Sequence, residues 1–163
     1  MGVTTFLRVA AAAALLAACA ADVYRVVAPG MTSEEVRARA GAPTVMGELA
    51  DGDAYWDYSR QPYYTERVTF GPDRRVRELH NILTEENFRN LAAGMALEQV
   101  TAIVGPSYIH NTYANGTTVW TYRFYDIGIA KLLHVTFAPD GRMLRYEVQW
   151  DPAVYSKKDG RPR

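Results

Sequence analysis

The chain has 163 residues with 18 Lys/Arg against 18 Asp/Glu, a formal net charge of zero. That balance excludes a nucleic-acid binder, which needs a basic excess, and a single cysteine excludes an internal disulfide. Eleven Tyr, five Phe and three Trp supply ample apolar material, so the fold must hold by its core alone, as one domain or two small ones.

In chain order, the first feature is Arg8 followed by a small-residue and apolar run from Val9 to Ala18. A basic start, a short greasy core and small residues at a cut site read as a secretory signal peptide over 1–18. The run is about half the roughly 20 residues that span a bilayer. Leu16-Ala17-Ala18-Cys19 resembles the lipobox of bacterial lipoproteins. The resemblance implies lipidation at Cys19, whose thiolate takes a diacylglyceryl group and whose α-amine, freed by cleavage, takes a further acyl chain. One chain anchors marginally and several hold firmly. Ala20, a residue other than Asp after the cysteine, implies export to the outer membrane.

The rest of the chain repeats itself. Gly30-Met31-Thr32-Ser33-Glu34-Glu35-Val36 matches Gly94-Met95-Ala96-Leu97-Glu98-Gln99-Val100 at an offset of 64. Gly41 falls on Gly105, and Trp56-Asp57-Tyr58 on Trp120-Thr121-Tyr122. From Val68-Thr69-Phe70, matching Val135-Thr136-Phe137, the offset is 67, so the second copy carries three extra residues in its middle loop. The expected units run over 22–80 and 81–152, with a disordered polar tail over 153–163.

Within a unit, Thr32-Ser33-Glu34-Glu35 suits a helix start, and Gly41 or Gly105 a left-handed stop. A preceding helix is clear at Thr84–Leu91 and weak at Asp22–Val27. Asp51-Gly52 and Asn115-Gly116 are hairpin dipeptides. Tyr55–Tyr58 and Val119–Tyr122 are aromatic, β-branched strand runs. Two more strands follow, split by Pro72-Asp73 and by Pro139-Asp140-Gly141. The predicted fold is α+β: two tandem ααβββ units of three or four strands each, helices packed on one face of antiparallel sheets.

Gly30, Met31, Val36, Gly41, Pro43, Trp56, Tyr58, Phe70 and Asp73 follow the pattern of the SmpA/OmlA, or BamE-like, lipoproteins. The second copy repeats it with Gly94, Met95, Val100, Gly105, Trp120, Tyr122, Phe137 and Asp140, but has Pro106-Ser107 where the first has Ala42-Pro43. The chain is similar to that family over nearly all of Ala28 to Trp150, and departs from it by carrying two units. The resemblance implies a small outer-membrane lipoprotein with ααβββ units, such as the accessory of the β-barrel assembly machine. The tandem layout is also similar to the β-lactamase-inhibitor-protein fold, with a concave protein-binding face.

His80, His110 and His134 stand at no metal-ligand spacing, and neither GxSxG, HExxH nor a P-loop is present. No catalytic residue, metal or cofactor is therefore expected, and the protein reads as a non-enzyme. Arg74, Arg75 and Arg77 read as a solvated turn, the alternative being contact with lipid phosphates. Strand alternation puts Trp56 with Tyr58 and Trp120 with Tyr122 on a buried face. The opposite face then carries Tyr55, Asp57, Thr121, Arg123, Tyr125 and His134. Tyr and Arg are enriched at protein contacts, so Tyr55, Arg123 and Tyr125, with Tyr63 and Tyr64 in the loop after the first aromatic strand, form the candidate partner-binding patch. The functional expectation is a non-catalytic lipoprotein on the periplasmic face of the outer membrane. It would bind an unidentified envelope protein, in outer-membrane protein assembly or envelope maintenance. The alternatives are a protein inhibitor of an enzyme and an unrecognised hydrolase.

Overall fold

The computed structural model describes residues 22–60 and 63–155. The signal segment 1–18, the lipidation candidate Cys19 and the tail beyond Tyr155 lie outside the described residues.

The first repeat opens with two short helices, α1 (Val23–Val26) and α2 (Ser33–Ala40), followed by β1 (Val45–Glu48), β2 (Ala54–Arg60), β3 (Tyr64–Phe70) and β4 (Val76–Asn81). The second runs α3 (Glu85–Phe88), α4 (Leu97–Val104), β5 (Ile109–Thr112), β6 (Thr118–Asp126), β7 (Ile129–Phe137) and β8 (Met143–Trp150). Each set of strands forms one antiparallel meander, β1-β2-β3-β4 and β5-β6-β7-β8.

The expectation of ααβββ units with helices packed on the sheets is overturned. The molecule is mostly β, with two four-stranded sheets and few, short helices. Only α2 and α4 reach eight residues, and α1 and α3 are single turns of four. The added strands, β1 and β5, carry no apolar/polar alternation in their sequence, although β1 alternates half-buried and exposed. All four residues of β5 are exposed. Each is paired to its neighbour by the hairpin that precedes the aromatic strand, with Val45 opposite Asp57 and Ile109 opposite Thr121.

Local chemistry explains the helix ends. Thr32 Oγ1 accepts from the Glu35 amide at 3.3 Å while Glu35 accepts from the Thr32 amide at 2.8 Å, a full capping box. The second copy keeps half of it: Gln99 accepts from the Ala96 amide at 2.8 Å, and Ala96 has no side-chain acceptor. Gly41 and Gly105 stop the helices at φ 83° and 75°.

The copies agree in detail. Tyr58 Oη donates to Gly41 O at 3.2 Å and Tyr122 Oη to Gly105 O at 3.0 Å. Arg75 donates to Gly30 O at 2.8 Å and Arg142 to Gly94 O at 2.9 Å. The ladder shifts register at Thr69/Phe70 and again at Thr136/Phe137. Arg75 is thus a structural brace, and Arg77 pairs with Asp51 and Asp53, while both stay exposed beside the turn.

Each sheet anchors its own apolar cluster. Val23, Val36, Tyr58, Val68, Phe70 and Val76 form one. Leu83, Phe88, Val100, Val104, Trp120, Tyr122, Phe124 and Leu133 belong to the other. The two tryptophans, both expected to be buried, differ. Trp120 is buried, stacked on His110 at 4.8 Å and tilted against Phe137 at 4.9 Å. Trp56 is only half-buried, with Phe70 edge-on at 4.9 Å and the Arg37 guanidinium 5.3 Å above its ring.

Candidate functional site

Each sheet has a second face, away from its cluster, and the two second faces differ. On the first sheet Asp57 and Arg67 stand opposite each other across β2 and β3. Arg67 Nε and Nη2 bind the two Asp57 carboxylate oxygens at 2.7 and 2.8 Å, and both side chains are buried. The Arg67 guanidinium also lies 3.9 Å from the centre of the Tyr55 ring. That ring covers Gly47 of β1, where a Cβ would come within 2.5 Å of it. Burial pushes the Asp57 carboxyl above its ordinary range, and the Arg67 guanidinium opposes the shift.

The second repeat covers this face. Arg67 Nη1 donates to Ala102 O in the last turn of α4 at 2.5 Å, where a cation suits the free carbonyls of a helix end. Gly105 sits close enough that a Cβ there would meet Thr65 at 3.3 Å, Ile82 at 3.4 Å and Asp57 at 3.7 Å. Asn87 donates to Ile82 O at 2.8 Å and to Ile103 O at 2.7 Å, holding the connecting segment to α4.

Tyr55 therefore does not stand on an open patch. It is 5% exposed and belongs to this buried junction. Alternation along β2 placed it on the correct face of the strand. What covers that face comes from residues far along the chain.

The other four candidates converge at one end of the molecule. Tyr63, in the β2–β3 connection, lies against Tyr125 at the end of β6 with ring centres 4.4 Å apart. Tyr64 is 6.2 Å from Tyr125. Arg123, two residues back on the same face of β6, is half-exposed and pairs with the buried Asp151 at 3.4 Å. Asp151 belongs to a turn that closes on β7: its amide donates to Ala130 O at 3.0 Å, and the Tyr155 amide donates to Asp151 O at 2.9 Å. Residues 153–155, expected in the disordered tail, are part of this turn.

On the second sheet, Thr121 and His134 occupy the register position of Asp57 and Arg67. They share a hydrogen bond of 2.9 Å, and His134 meets Gln149 at 2.9 Å. Burial lowers the imidazole's pKa, and Glu147 opposes the shift. Around this pair Arg123, Thr136, Arg145 and Glu147 are half to fully exposed, while Leu132 and Ala130 on the same side of β7 are buried.

Two features escaped the sequence reading. Ile127 forms the β6–β7 turn with Gly128, at φ 47° and 78°, and is 95% exposed. The change of offset from 64 to 67 was its signal, because the extra residues lengthen the second hairpin: β6 and β7 have nine residues each, against seven in β2 and β3. The buried Asp57–Arg67 pair left no local trace beyond two charges in aromatic strands.

A polar recess of about 420 Å³ lies between β4 and α3, lined by Glu78, His80, Asn81, Thr84, Glu86, Asn87 and Asn90. Its asparagines largely serve the backbone, Asn81 accepting from the Leu83 amide at 3.1 Å and Asn87 bound as above. Among the described residues no group of three or more His, Cys, Asp or Glu is placed to hold a metal ion. No helix among them is long and apolar enough to cross a membrane.

No family model and no curated protein matches the chain. Among solved structures it is similar to a DUF4309 family protein, YjgB, from Bacillus subtilis. Identity is 18%, coverage 79% of this chain and 90% of that one, and the TM-score 0.29. It is also similar to an extracellular protein containing a SCP domain from Bacillus anthracis, at 14% identity, 91% and 50% coverage and a TM-score of 0.31. The chain spans half the length of that second protein. Scores this low carry no argument about this protein's function.

Proposed function

We propose that this protein is a non-catalytic envelope lipoprotein, tethered at Cys19 on the periplasmic side of the outer membrane. Its body binds another protein through the outer face of the second sheet. The observation that supports this reading is the asymmetry of the two second faces. The first is closed by α4, and the second presents Arg123, His134 and the tilted Tyr63–Tyr125 ring pair at the surface. Tyr offers a large contact area with few rotors to freeze, and Arg a planar donor fork. The lipobox-like Leu16-Ala17-Ala18-Cys19 and the resemblance to SmpA/OmlA proteins support the location.

The test changes Tyr125 to Ala and, to keep a cation beside the buried Asp151, Arg123 to Lys, singly, then measures cross-linked capture from native envelopes alongside thermal unfolding. A true hot spot loses at least about 2 kcal/mol of binding with little change in stability. Unchanged capture in both variants would remove this face from consideration. Mass spectrometry of the mature chain finds an acylated Cys19, or the anchor is absent.

A further inference from the structure

The tip of the β6–β7 hairpin is strained and gains nothing from its own fold. A two-residue turn with positive φ at both positions prefers Asn-Gly, because Asn tolerates the left-handed region. Here the first position is Ile127, at φ 47°. A β-branched side chain in that region is an outlier. At 95% exposure it touches almost nothing that offsets the strain. Strain without packing return is characteristic of functional positions.

The surroundings of the tip indicate the occupant. The extra length of β6 and β7 carries Ile127 beyond the first repeat's shorter hairpin. Tyr125, two residues before the tip, lies 6.2 Å from Tyr64, which stands opposite Arg60 across the first hairpin. Arg60 pairs with Asp22 at 3.2 Å, and Asp22, Tyr24, Arg60 and Tyr64 line one shallow recess. The described chain thus begins at this same end. Cys19 precedes Asp22 by three residues, a stretch that reaches at most about 11 Å when fully extended. A lipid on Cys19 therefore holds this end, and not the opposite one, against the bilayer. Tyr24 and Tyr64 are about half exposed, the amphipathic type that settles at membrane interfaces. Beside the tip Lys131 is shared by Asp126 and Glu85, at 2.6 Å each, so one carboxylate charge stays unmatched there and the apolar Ile127 side chain, not a basic patch, is what the tip offers a bilayer.

We propose that the β6–β7 hairpin is a membrane-contacting tip, with Ile127 inserted at the headgroup–acyl boundary of a lipid bilayer and Tyr24 and Tyr64 in the interfacial layer. Its orientation rests on the lipidation reading of Cys19. The tip lies at the end of the second sheet, leaving Thr121, His134 and Glu147, farther along its outer face, free for a protein partner. Insertion of an apolar side chain, and not headgroup recognition, is the chemistry involved.

The test places a polarity-sensitive dye on Ile127→Cys in the full chain purified from membranes and reconstituted into phosphatidylcholine vesicles. Ala114→Cys, in the exposed turn at the other end of β6, is the reference. The expected result is a blue-shifted emission at position 127, with most of its intensity lost when the acyl chains carry bromine. The reference stays as in water. A dye at 127 as wet as the one at 114 overturns the proposal. So does a shift that grows with protein concentration without vesicles, which marks self-association, or one that needs added envelope protein, which marks a protein socket. Peptide mass spectrometry of the same sample confirms the label's position and reports acylation of Cys19. An acylated chain with a wet dye at 127 overturns the tip alone, and a chain without acyl groups overturns the anchor and the orientation built on it, so the two failures are distinguished.

Discussion

At the register position where β2 faces β3, the first repeat has Asp57 and Arg67; where β6 faces β7, the second has Thr121 and His134. The backbone frames are alike, down to the tyrosine that closes each helix-end glycine. The side chains differ because their surroundings differ. A charge pair excluded from water survives only with near-complete hydrogen bonding. Arg67 has it, from both Asp57 oxygens and from Ala102 O. The second pair remains neutral and partly wet, and its face remains open. Duplication thus produced one face that joins the two repeats and one available for something else.

The largest effect should come from breaking the closed junction. Arg67→Met leaves Asp57 buried without its partner and should cost about 3–5 kcal/mol in chemical denaturation. His134→Ala, at the matching position, should stay below about 1 kcal/mol, as expected for a partly exposed neutral hydrogen bond. Equal losses at the two positions would sink the comparison.

A sharper version moves the second pair into the first position. Asp57→Thr combined with Arg67→His should cost less than the two single changes added together, with a coupling on the order of 0.5–3 kcal/mol. Strict additivity would mean that the pair is not the unit that matters.

The hairpins offer a third contrast. Ile127→Asn places a side chain that accepts positive φ in the longer hairpin's turn. It should raise stability by on the order of 1 kcal/mol, read as a higher midpoint of thermal unfolding. A drop would show that Ile127 packs in the folded monomer.

The smallest effect concerns pH. Burial holds the His134 pKa below its ordinary 6.5, so below that pH the unfolded chain binds the proton more readily than the folded one. Stability from this group is fully present above 6.5 and declines as the pH falls toward the folded-state value. His134→Gln should flatten that part of the profile. An unchanged slope would assign the acid sensitivity elsewhere.

The duplicated order, the helix stops at Gly41 and Gly105, the helix start at Thr32 and the alternation of Trp56 and Tyr58 with their neighbours were all legible in the chain. Each rests on interactions within a few residues or on side chains alternating along one strand. The overall balance was misjudged because β1 and β5 are made by pairing, and their residues carry no apolar period of their own. The grouping of the tyrosines was read in part. Tyr63, Tyr64, Arg123 and Tyr125 do converge, since two hairpin ends meet there.

What the sequence by itself determined is the repeating frame and the sides to which its strands point their residues. Only the tertiary structure decided that Tyr55 is covered while Tyr125 is not. Alternation yields two faces, but covering one depends on α4 reaching it across the connection between repeats. That contact joins Arg67 to Ala102, 35 positions apart, and has no local signal in either residue.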